Sequence, residues 1–291
     1  MFTATLIAAN GLPVGEVSAA IDRLAAAGCA PGAAVWIDAG EAVDLPFERD
    51  PAAARTALEG HGVDVVVQAV AARAKALLVA DMDSTMITVE CIDELADYAG
   101  IKAEVAEVTE RAMRGELDFE GALDARVALL AGLDESAIDR CLAERVMIMP
   151  GAKALVRTMR ARGAFAVLVS GGFTRFAEPV AAEIGFDRAI ANCLLIENGR
   201  LTGKVAKPIV GAATKEETLR TTMIDRGLAS AETLAVGDGA NDLPMIRAAG
   251  LGVAYRAKPI VAAAAAARIE YGDLTALLWA QGIARRDWVT T

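Results

Sequence analysis

Three short apolar runs lie in the chain after residue 70, and each of them stops at polar residues. They cover residues 76–80, 165–169 and 234–237. A short, continuously apolar run is typical of a strand that is buried on both faces of a parallel sheet. Parallel sheets carry their chemistry in the loops just beyond the carboxyl ends of the strands. The pattern therefore predicts an α/β core with polar side chains gathered at one edge.

The first run ends in two acids one residue apart, Asp81 and Asp83, followed by Ser84 and Thr85. In an extended segment alternate side chains share a face, so both carboxylates can line one pocket. Two like charges this close repel each other unless a cation or a shared proton relieves them. The spacing suggests a divalent-metal site with one acid free to act as a nucleophile or proton carrier. For this stretch taken alone, a strand end with an Asx turn is the simpler explanation.

The other two runs end in residues that suit anion and metal binding. Ser170 and Gly171 follow the second run, and a glycine N–H can face an anion at close range. The third run leads into Asp238 and Asp242, and a helix is predicted to begin near Asp242. Lys215, between these runs, falls in the first turn of another predicted helix, where a cation opposes the helix dipole. An ordinary surface lysine explains Lys215 equally well in isolation.

The first 70 residues alternate in the order strand, helix, strand, strand, helix, strand. The predicted segments are residues 3–8, 17–26, 33–38, 42–47, 51–59 and 63–70. Asp50 and Pro51 suit the cap and the first position of the second helix. This order is that of ferredoxin-like α+β domains, and it resembles the amino-acid-sensing ACT modules in topology. A plain structural or dimerising domain is the alternative for this segment, which we place at residues 1–72.

A long helical segment, residues 87–149, interrupts the remaining α/β domain of residues 73–291. It greatly exceeds an ordinary strand-to-helix connection. We therefore interpret it as a helical cap inserted into a core of residues 73–86 and 150–291.

Phe119 and Leu123 lie on one apolar face of a predicted helix in this cap, and Arg126 is the charged residue on the same face. A buried arginine needs a carboxylate partner, either from the protein or from a ligand. Glu90, on the segment that leaves the predicted site, can supply a protein partner. From the residues alone, a structural ion pair is the favoured explanation for Glu90 and Arg126.

The motifs DxDST, SGG, a lysine and GDGAND follow one another in this chain at Asp81, Ser170, Lys215 and Asp238. In this order they resemble the haloacid dehalogenase superfamily of phosphotransferases, and most closely its phosphoserine phosphatases. The resemblance covers residues 74–291 and implies a Rossmann-like parallel-sheet core whose helical cap selects the substrate.

The resemblance also implies roles for individual residues. Asp81 would be the nucleophile, Asp83 the general acid and base, and Lys215 a catalytic cation. Mg²⁺ would be bound by Asp81, the backbone carbonyl of Asp83 and Asp238, with Asp242 in support. The substrate-binding residues that it implies are Glu90, Met113, Phe119, Arg126, Ser170, Gly171, Lys215 and Asn241. Lys204 and Lys207 compete for the role of Lys215, which begins a helix and matches the motif position.

The implied activity is the Mg²⁺-dependent hydrolysis of O-phospho-L-serine to L-serine and phosphate, the last step of serine biosynthesis, through an aspartyl-phosphate. One alternative keeps this intermediate but passes the phosphoryl group to another alcohol, such as homoserine. Another makes the protein chiefly an amino-acid sensor that acts through residues 1–72, with L-serine as a feedback ligand. A homodimer is compatible with either activity.

Charge and cysteine content narrow the range of partners and compartments. The formal net charge is −10, so a nucleic-acid surface is not expected and a phosphorylated substrate needs a local positive patch. The four cysteines have neither paired nor metal-ligand spacing, and we expect free thiols in a reducing cytoplasm. Cys91 is expected to be a small packing residue. No apolar run reaches the ~20 residues that span a bilayer, so no membrane partner is expected.

Overall fold

The fold is described by a computed structural model for residues 1–8 and 11–290, except for the side chain of Met113. The strands are β1 (Phe2–Ile7), β2 (Val35–Asp38), β3 (Ala42–Phe47), β4 (Asp64–Ala69), β5 (Leu77–Ala80), β6 (Phe165–Phe173), β7 (Arg188–Asn192), β8 (Leu194–Glu197), β9 (Arg200–Val205), β10 (Thr233–Gly237), β11 (Leu251–Tyr255) and β12 (Ala267–Ile269). The helices are α1 (Val14–Ala26), α2 (Pro51–Leu58), α3 (Cys91–Ala99), α4 (Lys102–Met113), α5 (Phe119–Ala128), α6 (Ser136–Arg145), α7 (Ala152–Ala161), α8 (Thr174–Ile184), α9 (Ala212–Asp225), α10 (Leu243–Ala248), α11 (Pro259–Ala264) and α12 (Ala276–Ala280). Ten strands form one sheet in the order β2-β3-β1-β4-β12-β11-β10-β5-β6-β7, and β8 and β9 form a separate hairpin.

The first four strands and two helices form the predicted ferredoxin-like unit. The strand β1 lies at its centre, with antiparallel partners β3 and β4 on either side. The side chain of Asp50 accepts a hydrogen bond from the N–H of Ala53 at 2.9 Å, and Pro51 is the first residue of α2. The sequence therefore identified both the order of elements and the start of α2.

The strand β5 lies inside the parallel part of the sheet, between β10 and β6. All four of its side chains are fully buried, because helices cover both faces of the sheet. This arrangement explains why its sequence is continuously apolar, and it confirms the predicted α/β core.

The pattern after residue 249 predicts a last strand at residues 250–254, followed by helices to residue 291. The structure shows this prediction to be wrong, because β12 adds a further parallel strand next to β11. With only three residues and Arg268 in the middle, β12 has no alternation that could distinguish it from the alanine-rich helix before it.

A buried carboxylate joins the ferredoxin-like unit to the α/β core. The two parts of the sheet meet where Arg268 of β12 pairs with Val65 of β4. Beside this pair, Asp64 is 2% exposed and accepts hydrogen bonds from three successive backbone N–H groups at 2.7, 3.2 and 2.7 Å. These donors belong to residues 270–272 of the core. The division of the chain at residue 72 stays a prediction.

The helices α3 to α6 lie between β5 and α7 and form the inserted segment. The chain leaves and re-enters the core side by side, since Ile87 pairs with Ile148 and the N–H of Met149 donates to the carbonyl of Met86 at 2.9 Å. The bounds 87–149 for a cap stay a prediction. Across the described ranges 1–8 and 11–290, none of the helices has both the length and the apolar character needed to cross a membrane.

Candidate active site

Three carboxylates converge at the carboxyl ends of β5 and β10. Asp81 directly follows β5, Asp238 directly follows β10, and Asp242 ends a short 3-10 turn just beyond. One oxygen from each carboxylate lies within 4.8 Å of the others. The parallel pairing of β5 with β10 brings the first two together, because the carboxyl ends of adjacent parallel strands meet at one edge. Three acids this close require a compensating cation.

Lys215 supplies part of that positive charge from α9. Its side chain is fully buried, and its Nζ lies 2.6 Å from an oxygen of Asp81 and 2.6 Å from an oxygen of Asp242. Burial alone would lower the pKa of Lys215, but the two carboxylates outweigh it and raise the pKa above its ordinary value. The competing Lys207 instead pairs with Asp124 of α5 at 2.8 Å.

The two acids of the first motif lie in different surroundings. Asp81 is paired with Lys215, although its burial still raises its pKa. Among the described residues, no lysine forms a salt bridge with Asp83; burial and then the nearby charge of Glu90 raise its pKa to about 7. The backbone N–H of Cys91 donates to Asp83 at 3.4 Å. Asp83 is thus able to hold a proton near neutral pH, as a general acid must.

The carboxyl-terminal part of β6, the other neighbour of β5, contributes a hydroxyl and backbone groups that suit an anion. Ser170 is 1% exposed, and its Oγ accepts the N–H of Gly172 at 2.8 Å. A Cβ at residue 172 would come within 3.1 Å of a carboxylate oxygen of Asp83, and one at Gly171 within 3.1 Å of the Phe119 ring. A side chain at either position would therefore crowd the site, and the two glycines let the backbone approach it.

The inserted helices close over these groups and leave a cleft of about 640 Å³. Arg126 of α5 lines this cleft and is half-buried; its Nε donates to the carbonyl of Ala122 at 3.3 Å. Within residues 1–8 and 11–290, no carboxylate lies within salt-bridge distance of its guanidinium, and burial lowers its pKa. Glu90 also lines the cleft, but it accepts a hydrogen bond from Ser84 at 2.7 Å. A structural Glu90–Arg126 ion pair is therefore not formed.

Most of the residues singled out from the sequence lie in this cleft. Those that line it are Asp81, Asp83, Glu90, Phe119, Arg126, Ser170, Gly171, Asp238 and Asn241. Lys215 and Asp242 lie behind its wall, where Lys215 contacts both Asp81 and Asp242. The Met113 side chain lies outside the described part of the structure, so its expected place in the pocket is not tested.

Three further residues belong to the site although the sequence interpretation assigned them no role. The hydroxyl of Thr85 donates to Asp238 at 3.2 Å. Asp93 of α3 lines the cleft and is the acid with the largest electrostatic effect on Arg126. Lys258 lines the cleft from the loop after β11. Thr85 could have been found from its place in the first motif, whereas the other two have no local signal.

The donor set fits a hard divalent cation. Asp81 and Asp238 offer carboxylate oxygens, and no histidine or cysteine is among the three clustered ligand residues of the described chain. Oxygen-only sets suit Mg²⁺, Ca²⁺ or Mn²⁺, while zinc sites usually contain histidine or thiolate. Burial, followed by the charge of Asp242, raises the pKa of Asp238 to about 6, and a cation would relieve this repulsion.

The parallel α/β core, with a carboxylate cluster and a lysine at its strand ends and helices over them, defines a phosphoryl-transfer type of site. A sequence profile described as haloacid dehalogenase-like hydrolase matches residues 78–247. This match covers more than half of the chain, so the chain belongs to that family.

The chain is also similar to particular members of the family. It is 44% identical over 285 residues to a phosphoserine phosphatase of Streptomyces coelicolor, which covers 98% of this chain and 69% of that protein. A probable phosphoserine phosphatase from Vibrio cholerae superposes with a TM-score of 0.75 at 35% identity, over 96% of this chain and 88% of that one. A phosphoserine phosphatase solved as an analogue of its phospho-aspartyl intermediate has a TM-score of 0.66 at 37% identity, over 71% of this chain and 98% of that one.

Proposed function

We propose that the protein hydrolyses O-phospho-L-serine to L-serine and phosphate through an aspartyl-phosphate at Asp81. The observation that carries the substrate assignment is Arg126, a half-buried guanidinium without a carboxylate partner in the described chain, in the same cleft as Asp81 and Asp83. A guanidinium in such a position suits a ligand carboxylate, which it can bind through two parallel hydrogen bonds. The similarity to phosphoserine phosphatases over nearly the whole chain supports the same substrate.

In the first step a carboxylate oxygen of Asp81 attacks phosphorus, and the bond from phosphorus to the serine oxygen breaks. Asp83 donates its proton to that oxygen, so that serine leaves as an alcohol instead of an alkoxide. The raised pKa of Asp83, about 7, lets it carry this proton at neutral pH. The two neighbouring acids thereby take different roles because their environments differ.

In the second step water attacks phosphorus and displaces the carboxylate of Asp81. Asp83, now deprotonated, removes the proton from this water and returns to its starting state. Throughout, Ser170 and the N–H of Gly171 would hold phosphate oxygens, and Lys215 would offset negative charge on Asp81 and the phosphate. Asp242 keeps Lys215 in place through its 2.6 Å contact.

The proposed metal is Mg²⁺, with Asp81, Asp238 and the carbonyl of Asp83 as its protein ligands. When bound, it supplies positive charge that lets an anionic carboxylate approach an anionic phosphate ester. Asp242 and Thr85 would orient the ligands from behind, since Thr85 donates to Asp238.

The test of the proposed function is phosphate release from a panel of phosphomonoesters in the presence and absence of divalent metals. We expect phosphoserine to have the highest kcat/KM of the panel. Activity should vanish with a chelator and return with Mg²⁺. Ca²⁺ should not restore it, because its larger and looser coordination shell would misplace Asp81. Full activity of metal-stripped protein would refute the metal assignment, and a better substrate without an amino-acid end would refute the substrate assignment.

Replacement of Arg126 tests the amino-acid part of the substrate separately. Arg126→Ala should remove a charge-assisted contact worth about 3 kcal/mol, a loss of roughly a hundredfold in kcat/KM for phosphoserine. The generic ester p-nitrophenyl phosphate has no carboxylate, so its kcat/KM should change little. Arg126→Lys should restore only part of the loss, since an ammonium lacks the guanidinium fork. Equal losses for both esters would mean that Arg126 only holds the cap together.

Finer parts of the proposal concern the first 72 residues and the cellular setting. We propose that this segment is an ACT-like domain with L-serine as a feedback ligand, and that the protein is a homodimer. The antiparallel ferredoxin-like sheet supports the domain assignment.

A role in serine biosynthesis follows from the proposed reaction. A reducing cytoplasm is supported by the four cysteines, all of which are free.

A further inference from the structure

The described walls of the cleft are strongly acidic. Their carboxylates belong to Asp81, Asp83, Glu90, Asp93, Asp118 and Asp238. The cationic side chains among the described lining residues are Arg126 and Lys258. The chain as a whole has a formal net charge of −10. A phosphate dianion that approaches this cleft is therefore repelled unless a local cation offsets the field.

Lys215 is poorly placed to provide that attraction at the entrance. It is fully buried and already lies between the carboxylates of Asp81 and Asp242. Arg126 lies on α5, on the side of the inserted helices, where the proposed function assigns it to the substrate carboxylate. Among the described residues that line the cleft, Lys258 is thus the cationic side chain without an assigned partner.

The backbone holds Lys258 next to Asp238, at the carboxyl end of β10. Its N–H donates to the backbone carbonyl of Asp238 at 3.3 Å, and Pro259, the next residue, begins α11. Arg256, two residues earlier, has a left-handed φ of 44° and donates its own N–H to the carbonyl of Ile269 at 2.9 Å. The loop is therefore pinned on both sides of Lys258, and the base of this side chain stays beside Asp238.

The Lys258 side chain itself is exposed. Within residues 1–8 and 11–290 it forms no salt bridge, unlike Lys207, which is paired with Asp124. Its charge consequently acts on the cleft without neutralisation by a fixed partner. Low-dielectric walls strengthen the attraction between such a positive charge and an anion that enters the cleft.

We propose that Lys258 is a substrate-binding residue that captures the phosphate group and guides it to Asp81. This inference rests on the proposed function for the class of substrate, a phosphomonoester dianion. It differs from the role of Arg126, because Lys258 lies beside Asp238, near which the proposed function requires the phosphate, whereas Arg126 is assigned to the amino-acid end. Lys258 should therefore act on every phosphomonoester, whatever its alcohol.

Kinetics of Lys258→Ala at different ionic strengths test this proposal. We expect kcat/KM for phosphoserine to fall about tenfold at low salt, within the range that electrostatic attraction provides. The turnover number kcat should stay within about twofold, since the charge acts mainly on capture. The difference from the wild type should shrink steadily as salt rises to about 0.5 M, because screening then limits the attraction of Lys258 to a few ångströms. Lys258→Arg should keep most of the activity, and Lys258→Glu should lose more than Lys258→Ala.

Lys204→Ala is the matched control, because it removes the same charge from an exposed lysine of β9 that does not line the cleft. It should change kcat/KM by less than about twofold at any salt concentration. A Lys258→Ala loss that is independent of salt, or no larger than that of the control, would overturn the inference.

A second substrate separates this inference from the proposed function. With p-nitrophenyl phosphate, Lys258→Ala should show the same fractional loss and the same salt dependence as with phosphoserine. If the wild type fails to hydrolyse phosphoserine, the proposed function is wrong, and the comparison on p-nitrophenyl phosphate still decides whether Lys258 captures phosphate. A loss confined to phosphoserine would overturn the inference, since it would place Lys258 at the amino-acid end.

Discussion

Asp81→Asn is expected to abolish turnover, with a fall in kcat of at least about four powers of ten. An amide cannot attack phosphorus, and it offers a weaker ligand to a divalent cation. The substitution is nearly isosteric, and the amide oxygen can still accept a hydrogen bond from Lys215, which lies 2.6 Å from Asp81 in the native protein. The measurement is phosphate release, combined with mass spectrometry of acid-quenched protein to detect the phosphorylated aspartate. The wild type should show the modified residue, and Asp81→Asn should not.

Asp93→Asn provides a control with the same chemical change in the same cleft. Asp93 lines the cleft but has no role in the two proposed steps. We expect this variant to keep at least about a tenth of the wild-type kcat, because no bond to phosphorus depends on it. Thermal unfolding of both variants should show that they remain folded. If Asp81→Asn retained more than about 1% of the activity, the covalent mechanism would be wrong.

The parallel core could be predicted because burial on both faces leaves a direct trace in the sequence. Residues 77–80 are apolar without interruption, and all four are fully buried. The ferredoxin-like unit was predictable for a different reason, since its helix cap at Asp50 and its strand lengths follow local rules. In contrast, β12 exists only through its pairing with β11 and β4, which no pattern in three residues can encode.

The candidate site shows the same division between local and three-dimensional information. Asp81 and Asp238 directly follow adjacent parallel strands, and Asp83 comes two residues after Asp81, so their convergence follows from the sheet. The choice of Lys215 over Lys207 rested on its place at the start of a helix and on the resemblance, and the structure separates the two lysines by their contacts with Asp81 and Asp124.

The residues that the sequence left open or missed all depend on contacts between distant segments. Whether Glu90 and Arg126 formed an ion pair could not be decided from sequence, because it depends on where α3 and α5 lie relative to each other. Asp93 and Lys258 were missed because neither belongs to a motif of the apolar runs. They become visible only when the inserted helices and the loop after β11 meet across one cleft.

Asp83→Asn should separate the two proposed proton transfers by means of the leaving group. The serine alkoxide is a poor leaving group, so its oxygen must receive a proton as the bond to phosphorus breaks. We therefore expect kcat for phosphoserine to fall about a thousandfold. In p-nitrophenyl phosphate the leaving group is already stable as an anion, so the attack by Asp81 needs little help. The following hydrolysis still lacks its general base. We therefore expect a rapid release of about one equivalent of p-nitrophenol per active site, followed by slow turnover, in stopped-flow absorbance measurements.

The structure supports this reading of Asp83 through its contacts as well as its charge. An asparagine oxygen can still accept the N–H of Cys91, which lies 3.4 Å from Asp83, so the side chain should keep its place. What the variant loses is the ability to carry a proton, which the native residue has because burial and Glu90 raise its pKa to about 7. During the burst, phosphorylated Asp81 should therefore accumulate and persist long enough to be detected by mass spectrometry. A variant that slowed both esters equally and showed no burst would mean that Asp83 positions the nucleophile instead of transferring protons.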